Sequence, residues 1–71
     1  MTDWQETQEA DGKLVAKLAG TQVLVYAAPE GAPRPWCWEV RFADGQVQVG
    51  HEDDPDGALA HGKEVAERFL P

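Results

Sequence analysis

From Trp36 to Phe42 apolar and polar positions alternate. Trp36, Trp38, Val40 and Phe42 fall on one side, Cys37, Glu39 and Arg41 on the other. A period of two marks a half-buried strand. Asp44-Gly45 follows, a favoured pair for a two-residue type I′ turn, in which both positions take positive φ. Such a turn sets Phe42 opposite Val47, Arg41 opposite Gln48 and Val40 opposite Val49, so apolar meets apolar and polar meets polar. A slip of one residue destroys that match. The pattern therefore predicts a hairpin in this register.

Upstream, Leu14, Ala16 and Leu18 alternate with Lys13, Val15 and Lys17, and a second run covers Gln22–Ala28. Gly20-Thr21 suits a type II′ turn between them, and Ala19-Gly20 shifts the pairing by two without changing the faces. Either way Leu14, Ala16, Leu18, Val23 and Val25 share one face, with Val15, Leu24 and Tyr26 on the other. Residues 1–12 are polar, with Trp4 as their one large apolar side chain. They are read as an edge strand or a partly disordered segment. A type I′ turn at Asp11-Gly12 pairs Glu9 with Leu14, Thr7 with Ala16 and Glu6 with Lys17, placing opposite charges across from each other. The rival, a helix from Asp3 to Leu18, carries Gly12 at its centre at a cost of about 1 kcal/mol and lacks an apolar stripe. The strand is preferred.

Pro29-Glu30-Gly31-Ala32-Pro33-Arg34-Pro35 continues neither ladder nor helix and reads as a loop. A helix is expected over 55–70. Asp54 is a good N-cap, Pro55 fits the first helical position, and Asp56 suits the positive end of the helix dipole. Ala58, Leu59, Gly62, Val65, Ala66 and Phe69 form one stripe, and Lys63–Glu67 and Glu64–Arg68 are i,i+4 pairs. The expectation is a single α+β domain over 1–71. It has two layers: a three- or four-stranded antiparallel meander and one C-terminal helix packed on the Trp36/Trp38/Val40/Phe42 face.

Trp4, Leu24-Val25-Tyr26, Trp36-x-Trp38-x-Val40, Asp44-Gly45, Gly50 and the Ala-rich terminal helix together resemble a pattern of small bacterial and prophage-type meander-plus-helix domains. The strand-strand-strand-helix order also resembles the later part of a double-stranded-RNA-binding-like fold. Both resemblances imply a fold and no chemistry; no functional residue carries over.

Composition sharpens the picture at the surface. The 71 residues include 13 acidic and 6 basic ones, for a net charge of −7. Acids gather in two runs without an intervening base: Asp3, Glu6, Glu9, Asp11, and Glu52, Asp53, Asp54, Asp56. Such a surface repels nucleic acid and anionic membrane and attracts a basic protein face. A single cysteine forms no internal disulfide, the N-terminus lacks the basic and apolar regions of a signal peptide, and no apolar run approaches a membrane span. A soluble, cytoplasmic chain is expected.

The candidates for chemistry weigh little. Glu52–Gly57 mimics the start of a calcium loop, but the position needing a bidentate Glu is Lys63. Cys37, His51 and His61 match no zinc spacing. Cys37 has no basic neighbour on its own strand before Arg41 to lower its thiol pKa, and His61 is assigned to the helix's solvent side with Glu64 and Arg68. A fold this small also leaves little room for a pocket. No catalytic residue, metal or cofactor is therefore expected, and the chain is read as a non-enzyme. The favoured function is a protein-binding module, of a phage or prophage accessory type, docking a basic host surface through Glu52, Asp53, Asp54 and Asp56 together with Trp4, Leu24 and Tyr26. Trp4 in this reading either covers the outer sheet face or joins an apolar patch there. A homodimeric structural domain is the alternative. Nucleic-acid binding through Lys13, Lys17, Arg34 and Arg41 is disfavoured by charge.

Overall fold

The computed structural model describes residues 3–69. Strands β1 (Gln5–Gln8), β2 (Leu14–Leu18), β3 (Thr21–Ala27), β4 (Trp36–Arg41) and β5 (Val47–Glu52) precede helix α1 (Pro55–Arg68). The strands form one antiparallel sheet in chain order, and α1 packs on one face of it. The α+β reading holds, with five strands rather than three or four. The polar N-terminal segment supplies the extra one, as a strand and not as a helix.

Both Asp-Gly hairpins close one residue differently from expectation, in the same way. Phe42 N–H bonds the Gln46 carbonyl at 2.8 Å and Gly45 N–H bonds the Phe42 carbonyl at 2.9 Å. Glu9 N–H bonds the Lys13 carbonyl at 2.7 Å, and Gly12 N–H bonds the Glu9 carbonyl at 3.0 Å. Only the glycines have positive φ, +90° at Gly12 and +95° at Gly45. Each loop is thus a three-residue Ala-Asp-Gly, a tight turn followed by a left-handed glycine that makes a bulge. The aspartate explains the choice. Asp11 Oδ1 accepts from Lys13 N–H and Asp44 Oδ1 from Gln46 N–H, each at 3.0 Å, a local closure that does not require Asp itself to adopt positive φ. The β2–β3 turn does use two left-handed residues, Ala19 and Gly20, so Leu18 pairs with Thr21.

The extra residue inverts β5. Arg41 pairs with Val47, Val40 with Gln48, Glu39 with Val49 and Trp38 with Gly50. Val47 and Val49 therefore leave the helix side and stand 52% and 53% exposed. Aromatic volume outweighs the lost valine pairing. A Cβ on Gly50 would sit 2.3 Å from Trp38 Cζ2, so the indole occupies the space a side chain would fill. The first hairpin shifts likewise: Glu6 pairs with Ala16 and Thr7 with Val15, and the expected Glu6–Lys17 pairing is absent.

The core lies between sheet and helix. Ala16, Val23, Val25, Trp38 and Val40 from the sheet meet Ala58, Val65 and Ala66 from α1. Gly62 permits this approach, since a Cβ there would lie 2.5 Å from Val23 Cγ1. Asp54 caps the helix, its Oδ1 accepting from Gly57 N–H at 2.6 Å. Of the two expected helical ion pairs only Glu64–Arg68 forms, at 2.7 Å. Lys63 instead reaches Glu6 on β1 at 2.5 Å, because the shifted register turns Glu6 toward the helix. The helix ends at Arg68, and Leu70, within the expected span, lies outside the described residues.

Candidate functional site

The residues expected to share a binding patch do not come together. Trp4 packs against the core on the helix side, and its indole N–H donates to Glu67 Oε2 at 2.9 Å. Leu24 and Tyr26 lie on the opposite face of the sheet. Trp4 therefore neither covers the outer face nor joins it; the one-residue shift of the first hairpin sends it to the other layer.

The acidic run splits by role. Asp54 is engaged as the helix cap. Glu52 ends β5 beside Trp36, and its carboxylate lies 2.8 Å from His61 Nδ1. That hydrogen bond holds the Glu52 carboxyl below the usual range; burial opposes the shift, while the Trp38 indole and the charges of His61 and Arg34 add to it. The Trp38 N–H favours the charged carboxylate from nearby without closing a hydrogen bond, and is buried without a partner. His61, expected to face solvent with Glu64 and Arg68, instead lies with its ring centroid 5.0 Å from that of Trp38. It is exposed and still anchored, and it fastens α1 to the end of β5. Asp53 is exposed, 3.9 Å from Arg34, and Asp56 is exposed in the first helical turn. Asp54 is exposed as well, so Asp53 and Asp56 differ from the rest of the run in taking no part in the cap or the tie to His61.

The sheet face away from the helix has no second layer among the described residues. Along it, Tyr26, Cys37 and His51 stand in one row across β3, β4 and β5. Cys37 is buried. The neighbouring Cys37 side chain, then burial, then Glu39 push the Tyr26 phenol well above its ordinary range, and its hydroxyl donates to Glu39 Oε1 at 3.2 Å. Glu39 also pairs with Arg41. The thiol and the carboxylate beside it thus hold the phenol protonated. The register error concealed the Cys37–His51 pairing at the sequence level. Among the described residues no three His, Cys, Asp or Glu side chains gather with metal-binding geometry.

The basic residues also separate. Lys17 and Arg41 lie in one row of the outer face with Gln22 between them. That puts them two strand spacings, about 10 Å, apart. Arg34 stands by Asp53 on the far loop. A groove of about 490 Å³ opens between Ala19, Phe42, Gln48 and Phe69, larger than a fold of this size suggested. Among the described residues Asp44 is its one titratable lining side chain.

β5 is an edge strand. It carries the exposed Val47 and Val49, and it runs from the Asp44 turn into the Glu52–Asp56 stretch. From Phe42 to Gly62 the chain holds Asp44, Glu52, Asp53, Asp54 and Asp56 and no lysine or arginine. Apolar contact surface and negative charge thus adjoin along one margin. Sequence reasoning named the acids and missed the valines, whose signal was the paired Ala-Asp-Gly tripeptide.

No family model matches the chain, and neither the curated proteins nor the solved structures contain a match to it. No helix among the described residues is long and apolar enough to cross a membrane.

Proposed function

We propose that this chain is a non-enzymatic protein-binding module that docks a basic surface of a partner protein through the β5 margin. The observation that carries the reading is the adjacency of Val47 and Val49, more than half exposed, to an acid-bearing stretch that itself has no lysine or arginine, its basic neighbours being Arg41 opposite Val47 and Arg34 by Asp53. Exposed apolar side chains supply contact area, and carboxylates at the rim select charge and speed encounter. Leu24 and Tyr26 lie on the same face one strand further in, on β3, with Glu39, Arg41 and Cys37 of β4 between them and β5. The buried, unpaired thiol of Cys37 suits a cytoplasmic setting.

Capture from cell extract tests this, using wild type and D53N/D56N, which spares the helix cap at Asp54. The module reading expects a protein recovered by wild type at low salt and depleted severalfold with D53N/D56N. Equal recovery by both removes the role of the acidic margin.

A further inference from the structure

We infer that the β5 margin takes its partner by strand addition: an extended segment with alternating apolar side chains and lysine or arginine at the end beside Asp53. This deepens the docking reading above and rests on it. The first support is the direction of the backbone groups. Phe42 N–H bonds the Gln46 carbonyl, and Ala28 N–H bonds the Pro35 carbonyl. Antiparallel ladders alternate hydrogen-bonded and non-hydrogen-bonded pairs. Stepping from Phe42–Gln46, the inward-bonded β5 residues are Gln48, Gly50 and Glu52. The N–H and C=O groups of Val47, Val49 and His51 therefore face outward. The Ala28–Pro35 bond gives the same parity from the other side of β4.

Second, β5 lacks the devices by which edge strands refuse company. It has six residues, Val47-Gln48-Val49-Gly50-His51-Glu52, with no proline, lysine or internal bulge. The outward backbone groups belong to the residues whose side chains lie on the bare face. An added strand thus gains ladder bonds and contact with Val47 and Val49 together.

Third, charge selects the occupant. A second copy pairing β5 antiparallel about Val49 would set Asp54 against Asp44 of the other copy. The pairing centred on Gln48 would set Glu52 against the same residue. Each protomer also brings a net charge of −7. A basic segment meets the opposite field at Asp53.

The test is an amide-shift titration of the isotope-labelled chain. The probe is a capped octapeptide of alternating threonine and valine ending in two lysines, compared with the same peptide ending in two glutamates. The lysine peptide is expected to move the amides of Val47, Val49 and His51 and to bind about tenfold more tightly than the glutamate peptide, with the difference shrinking as salt rises. Val49→Pro removes an outward N–H that the fold does not use, so it should abolish binding while the remaining amide spectrum persists. Should that variant unfold, Val49→Lys blocks the same edge and must also abolish binding.

Equal binding of both peptides, no shift at millimolar peptide, or undiminished binding by folded V49P or V49K overturns the inference. A wild-type dimer that V49P converts to monomer also overturns it, by assigning the edge to a second copy. If V49P still captures the partner that D53N/D56N loses, strand addition fails and the docking reading stands.

Discussion

The two margins of the sheet are built on opposite principles. β1 has four residues, all polar, and its neighbourhood is tied to the helix twice: Trp4 to Glu67 and Glu6 to Lys63. β5 has six residues, and its ties sit on its inward face. Trp38 lies over Gly50, and His61 bonds Glu52. β1 thus spends its side chains on staying attached. β5 is held from beneath by a tryptophan belonging to its neighbour, which leaves its valines free. An edge fixed by packing on one face can present the other face without losing its place.

Gly50→Ala attacks that difference most directly. Its Cβ would collide with the Trp38 ring, and overpacking of this kind costs about 3 kcal/mol. Urea denaturation should show the loss, and a change below about 0.5 kcal/mol would mean that the indole does not fix β5. Trp4→Ala strips the anchor of the other margin. Since Trp4 is only half-buried, a loss of about 2 kcal/mol is expected, with faster hydrogen exchange confined to β1 and β2. Lys63→Ala removes a partly exposed ion pair and should cost less than about 1 kcal/mol.

Glu52→Gln sharpens the comparison through pH. The folded Glu52 carboxyl titrates below its unfolded value, so its contribution is present above the ordinary carboxylate range and is lost as pH falls through the folded pKa. Stability measured from neutral pH downward should fall less steeply in E52Q than in wild type. Parallel curves would show that the His61 contact does not favour the carboxylate. Smallest of all, Val47→Thr and Val49→Thr should each change stability by less than about 0.5 kcal/mol, because these side chains are more than half exposed.

Much of the architecture was legible. The alternation of Trp36, Trp38, Val40 and Phe42 placed those side chains under the helix, and Asp54-Pro55 marked where the helix begins. The N-terminal strand was legible too, through Gly12 and the absence of an apolar stripe. The register was not. Asp-Gly alone favours a two-residue turn, and pairing Val40 with Val49 reinforced that reading. The missing terms were the Asp side chain bonding two residues onward and the volume of Trp38, which needs a glycine opposite. Both are three-dimensional: one is a loop closure, the other a fit between two strands. The same slip at Asp11-Gly12 misplaced Trp4, and with it a residue of the expected binding patch. Of that patch Asp53, Asp56, Leu24 and Tyr26 remain on accessible or half-buried surface, while Asp54 and Glu52 serve the fold.

The character of the β5 margin depends on the side of the sheet to which Val47 and Val49 belong, and a nuclear Overhauser spectrum reads this without any partner. Non-hydrogen-bonded antiparallel pairs bring their α-carbons closest. The register described here predicts strong Hα–Hα cross-peaks between Glu39 and Val49 and between Cys37 and His51. A cross-peak joining Val40 and Val49 in their place would return both valines to the core and contradict the exposed β5 margin.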